Sequence, residues 1–101
     1  MPIPVLTGAQ KSHLRGLGQR MDAALKIGKE GLTPTLMAEF RRQLHAHELV
    51  KVRFVAGDRH LRAELSLKIG ELSESLCVGS VGLTALFYAP NPAAANAIEF
   101  P

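Results

Sequence analysis

At 101 residues the chain has room for one domain with a real hydrophobic core and no need of cross-links. A hydrophobic content of 47% and a charged content of 21% exclude a disordered tail, while a net charge of +3 is a mild tilt toward anionic partners. A single cysteine, Cys77, excludes an internal disulfide and fits a reducing compartment, and no stretch approaches the ~20 apolar residues of a membrane helix. Met1-Pro2-Ile3-Pro4-Val5-Leu6 has neither a basic n-region nor a long apolar run, so no signal peptide is expected and a cytoplasmic protein is.

The first six residues read as an extended lead-in with two prolines. Thr7 and Gln10 have capping-box spacing at the start of a helical pattern, whose buried stripe is Leu14, Leu17 and Met21. Gly16 and Gly18 weaken that helix by roughly 1 kcal/mol each relative to alanine, so it needs tertiary packing. Their missing side chains also leave room for a close neighbour.

A short strand at 24–27 leads into Gly28-Lys29-Glu30-Gly31-Leu32-Thr33-Pro34, a loop with glycine at both ends. Thr33 is a good N-cap and Pro34 falls at the first helical position, where its missing N–H costs nothing. Glycine admits positive φ and lets a ligand approach the backbone. Open amides at a helix start favour an anion, and Lys29 adds a cation at the loop tip. Gly-x-x-Gly alone also describes an ordinary polar turn. The strand before it, the cap after it and the basic chain around it bring in the phosphate-binding reading.

The second helix is expected over about 34–47, with Leu36, Met37, Phe40 and Leu44 within about 100° of one another on its wheel. Leu49 to Val55 alternates as a half-buried strand, Val50, Val52 and Phe54 inward and Lys51 and Arg53 outward. Asp58 caps a third helix with a stripe of Leu61, Leu65, Ile69 and Leu72, and Glu64 and Lys68 are spaced to pair on it. Two strands follow, at 76–81 and about 83–88. Residues 91–101 are small and proline-rich, expected to form a flexible tail, although Ile98 and Phe100 could dock. The order is α-β-α-β-α-β-β, an α/β two-layer sandwich with a four-stranded mixed sheet.

Several runs together resemble the CRM domain (chloroplast RNA splicing and ribosome maturation) in its stand-alone bacterial YhbY-like form. They are Leu6-Thr7 with Gln10-Lys11, Leu14-Arg15 with Leu17-Gly18, Ile27-Gly28-Lys29-Glu30-Gly31-Leu32-Thr33, and His47-Glu48-Leu49-Val50-Lys51-Val52. Asp58-Arg59 and Val81-Gly82 with Leu86-Phe87-Tyr88 complete the pattern, so that residues 1–90 read as one CRM-like domain. The resemblance implies a fold similar to the C-terminal domain of translation initiation factor 3. It also implies an RNA-binding function in precursors of the large ribosomal subunit, with a Gly-x-x-Gly loop that meets the RNA backbone as in KH domains. Two positions that are commonly basic in the family hold Leu83 and Ala89 here, which thins the basic footprint.

On this reading the RNA-binding residues are Gly28, Lys29, Glu30 and Gly31 of the loop, Lys11 and Arg15 of the first helix, and Arg41 and Arg42 of the second. Amides near Gly31 and the helix start hold a phosphate, Lys29 neutralises it, and Lys11 and Arg15 extend the track. Arg41, Arg42, Lys51 and Arg53 are weaker candidates, since scattered cations on such surfaces are ordinarily solvated. With one tyrosine and four phenylalanines, two of them on core faces, a base-stacking platform is not expected. His45 and His47 are two apart, His47 on the apolar side, and neither Cys77 nor a carboxylate stands at ligand spacing from them, so no metal site is expected. Cys77 reads as an inert core thiol, and no nucleophile elbow or P-loop is present, so neither an enzyme nor a cofactor is expected. The rival reading is a non-catalytic module that docks on ribosomal or other proteins.

Overall fold

The computed structural model describes residues 4–100. Three helices and four strands alternate along the chain: α1 (Gly8–Gly18), β1 (Leu25–Ile27), α2 (Pro34–His47), β2 (Leu49–Phe54), α3 (Arg59–Ser73), β3 (Leu76–Val81) and β4 (Thr84–Tyr88). The strands form one mixed sheet in the order β1-β2-β4-β3. β1 runs parallel to β2 with Leu25 opposite Val52, and β4 is antiparallel to both of its neighbours. Among the described residues no helix is long and apolar enough to cross a membrane.

Local chemistry sets the helix starts. The Thr7 hydroxyl accepts from the Gln10 amide at 3.1 Å and the Gln10 side chain accepts from the Thr7 amide at 2.9 Å, a complete capping box. Thr33 and Asp58 cap α2 and α3 by accepting from Leu36 and Leu61.

The sheet is covered on both faces. α2 and α3 enclose Ile27, Met37, Phe40, Leu44, Val50, Val52, Phe54, Ile69, Ala85 and Phe87. On the other face α1 brings Leu14, its most deeply buried residue, against Leu49, Val78, Leu86 and Tyr88. The sandwich of helices α2 and α3 on the sheet therefore carries a third, partial layer. At Gly18 a Cβ would stand 2.6 Å from Leu86 Cδ2, so the missing side chain lets α1 sit close on β4. Gly16 has no such neighbour.

Several local expectations change. β2 alternates as expected from Val50 to Phe54, but Leu49, on the α1 side, is buried as well. Lys51 on that side is half-buried, its ammonium donating to the Gly18 and Met21 carbonyls at 3.1 and 3.2 Å. The stripe of α3 is buried only at Ile69 and partly at Leu65, while Leu61 and Leu72 stay exposed. The N-terminal half of α3 stands off the sheet over a groove of about 630 Å³, lined by Arg59, Arg62, Leu67, Cys77 and Thr84 among others. Cys77 is exposed, not a core thiol. It faces the α3 side opposite Phe87, but β3 is the edge strand, and a bulge at Val78 turns the chain's apolar contacts toward α1. Partial desolvation raises the thiol's pKa, with the Gly79 and Leu86 backbone pulling the other way, so it is a poor nucleophile.

The C-terminal segment lies against the domain. The buried Glu48 carboxylate accepts the amides of Asn91 and Ile98, both at 2.5 Å. Phe100 meets Tyr88 edge-on and leans on His13, with centroids 5.9 and 5.6 Å apart. Ile98 and Phe100 pack on the cluster of Leu14, Leu49 and Tyr88. Asn91 also donates to the His45 carbonyl, and both His45 and His47 are exposed, His47 at an apolar groove with Leu17, Met21 and Ile98.

Candidate nucleic-acid interface

The glycine loop sits where β1 ends and α2 begins. Its backbone closes a turn in which the Gly31 amide donates to the Gly28 carbonyl at 3.1 Å, with Lys29 and Glu30 at the two central positions. Gly31 has φ +69, which a side chain rarely adopts, and a Cβ there would meet nothing within 4 Å, so backbone conformation alone demands glycine. The Thr33 amide donates to the Gly31 carbonyl at 3.2 Å, and the Leu36 amide is capped by Thr33. Leu32 tucks against the core and anchors the turn, whose tip residues Lys29 and Glu30 are exposed.

Two of the amides that the sequence offers to a phosphate, those of Gly31 and Thr33, are therefore bonded within the loop. Among the described residues the amides of Lys29, Glu30, Leu32 and Thr35 make no hydrogen bond inside the chain. They surround the N-terminus of a 14-residue helix, whose dipole adds positive potential at the same place. Lys29 has no ion-pair partner among the described residues. The anion-holding set is thus Lys29 with the tip and helix-start amides, and Gly31 shapes the turn without donating outward.

The other expected residues divide between the two faces of the sheet. Lys11 and Arg15 lie on α1, on the face opposite α2, and Arg15 is exposed. Arg41 and Arg42 lie about two turns along α2 from the loop and are already engaged. Arg41 donates to the Leu72 carbonyl at 3.2 Å and bridges α2 to α3. Arg42 makes a forked pair with Glu39 at 2.9 and 2.6 Å. The Arg42 and Gln43 side-chain hydrogen bonds hold the Glu39 carboxyl down to about 2, so Glu39 stays ionised throughout the physiological range. Neither arginine is brought together with the loop.

Lys26, in the strand just ahead of the glycine loop, joins the basic surface. It stands opposite Arg53 across the parallel β1–β2 pair, and both are exposed. Strand alternation places them on the α1 side, because Ile27 and Phe54 point into the α2/α3 core. The signal available in the sequence is that alternation carried across two strands, and it needs the pairing register to be read. Among the described residues no group of three or more His, Cys, Asp or Glu side chains is placed to hold a metal ion.

The chain is similar to known proteins. Residues 6–88 match the family model of the CRS1 / YhbY (CRM) domain. A Pseudomonas aeruginosa protein named as a probable RNA-binding protein is 36% identical over 87 residues, covering 86% of this chain and 84% of its own length. A Haemophilus influenzae protein named as an RNA-binding protein is 29% identical over 86 residues, covering 85% and 87%. The solution structure of protein SAV1595 from Staphylococcus aureus superposes with a TM-score of 0.81 at 28% identity, covering 96% of this chain and all of that one.

Proposed function

The chain belongs to the CRS1/YhbY (CRM) domain family, and from that membership we propose that it is an RNA-binding protein that holds the sugar–phosphate backbone at its glycine loop. The observation that carries this reading is the exposed turn of Lys29 and Glu30, with open amides beside the N-terminus of α2. Such a site recognises charge and backbone geometry, not base identity, so affinity comes mostly from phosphate contacts. Lys11 and Arg15 on α1 add contacts beyond the loop. The RNA is that of an assembling large ribosomal subunit, the class that the family resemblance implies, and the protein acts on it without catalysis. The naming of the Pseudomonas and Haemophilus relatives as RNA-binding proteins supports RNA as the partner.

The test is a titration of labelled RNA at several salt concentrations. Wild-type affinity falls steeply with salt. Lys29→Ala combined with Lys11→Ala weakens binding and leaves the melting temperature nearly unchanged. It also lowers the log–log slope by roughly 0.7 for each phosphate that is no longer neutralised. Affinity and slope unchanged in the double variant would remove the loop from the mechanism. A protein-docking module would show weak salt dependence throughout. Crosslinking in cells followed by sequencing of the attached RNA identifies the transcript.

A further inference from the structure

Within the helices and strands, the acidic residues are sorted by the sheet. Neither α1 nor any of the four strands contains an acidic residue, whereas α2 and α3 contain Glu39, Glu64 and Glu71. On the α2/α3 side several arginines are also engaged: Arg42 with Glu39, Arg41 with the Leu72 carbonyl, and Arg62 with the Gly57 carbonyl at 3.0 Å. On the α1 side Arg15, Lys26 and Arg53 are exposed.

There α1 covers only part of the sheet. Between its C-terminal end and the open end of the strands runs a groove of about 420 Å³, lined by Arg15, Gln19, Lys51, Ser80 and Thr84 among others. Arg15 lies along its wall with its stem across β3: a Cβ at Gly79 would come within 2.9 Å of Arg15 Cδ. Its guanidinium has no partner among the described residues. Lys51 is held in the groove by two carbonyls and no carboxylate, so its charge is not neutralised. At the open end Lys26, Arg53 and Thr84 stand in one row across β1, β2 and β4, about 4.8 Å from strand to strand. Lys26 is three residues before Lys29, so this row adjoins the glycine loop.

We infer that this groove is a second binding strip for the RNA's sugar–phosphate backbone, with Lys26 and Arg53 as contact residues that join the loop to Arg15. The inference rests on the RNA-binding reading and extends it from one turn to a track over the α1 side of the sheet. The ligand chemistry follows from the lining, which offers cations and the amide side chain of Gln19 but no aromatic ring. Base stacking needs an exposed ring, and Tyr88, the tyrosine of this face, is buried. Phosphates and ribose hydroxyls fit, and bases do not.

The experiment compares wild type, Lys26→Ala/Arg53→Ala, and Arg59→Ala/Lys68→Ala, which removes equal charge from α3. The probe is a labelled RNA hairpin with single-stranded flanks, titrated over a range of salt. The groove variant is expected to bind on the order of tenfold more weakly at moderate salt, with a slope shallower by roughly 1.4 when two phosphates are no longer neutralised. The α3 variant should match wild type, and all three should melt together. A groove variant that keeps wild-type affinity and slope overturns the inference while leaving the loop intact, as does an equal weakening in the α3 variant, which would reflect net charge alone. Wild type with no salt-dependent binding would remove the RNA reading itself, and the groove with it.

Discussion

Replacing Phe87 by alanine is expected to lower the unfolding free energy by about 3–5 kcal/mol, a large part of the roughly 5–15 kcal/mol typical of a domain. Phe87 is fully buried in β4, a central strand, and its ring meets Phe40 of α2 edge-on at 5.4 Å. The substitution removes transfer free energy, leaves a cavity among Val50, Val52 and Ala85, and breaks an aromatic pair worth about 0.5–1.5 kcal/mol beyond its area. Neighbours fixed by sheet hydrogen bonds relax little into the space. Urea denaturation checks this through a lower midpoint at unchanged slope. A loss under about 1 kcal/mol would mean that α2 is not held to the sheet through this pair.

Glu48→Ala is expected to cost about 2–3 kcal/mol and to release the C-terminal segment. The two carboxylate oxygens of Glu48 serve different amides, Oε2 that of Asn91 and Oε1 that of Ile98, while its backbone carbonyl accepts from Ala89. Hydrogen bonds to an ionised acceptor are stronger than neutral ones, and a truncated side chain leaves both donors without a protein partner. Glutamine retains one acceptor oxygen, so Glu48→Gln should lie between alanine and wild type. Amide hydrogen exchange reads the result directly: protection at residues 91 and 98 is lost in Glu48→Ala, with protection in β2 and β4 retained. Protection unchanged at both amides would show that other contacts hold the segment.

These two cases also mark what the sequence makes legible. Helix starts can be read because capping is local: Thr7 with Gln10, Thr33 ahead of Pro34, and Asp58 each cap a helix as expected. The element order α-β-α-β-α-β-β and the mixed sheet follow from the alternation of periods. What is not legible depends on partners far along the chain. Glu48 reads as one charge in a Glu-Leu-Val-Lys-Val run, and its role appears only when residues 43 and 50 positions away arrive. The apolar stripe of α3 runs the length of the helix in sequence, yet periodicity does not say how much of a helix the sheet can reach. The apolar neighbours of Cys77 point to the core, and the edge position and bulge of β3 decide otherwise. At the candidate site the loop and its lysine are visible in the Gly-x-x-Gly spacing. The bonding of the Gly31 amide inside the turn is not, nor is the Lys26–Arg53 row, which needs the register between β1 and β2.

The most direct test of RNA binding at the glycine loop is to titrate the isotope-labelled protein with RNA and follow its amide resonances by NMR. The largest shifts are expected on Lys29, Glu30 and Leu32 of the loop, spreading to Lys26, Arg53 and Arg15, with the outer face of α3 silent. Shifts concentrated on α3 and the groove beside Cys77, with the loop unmoved, would contradict it.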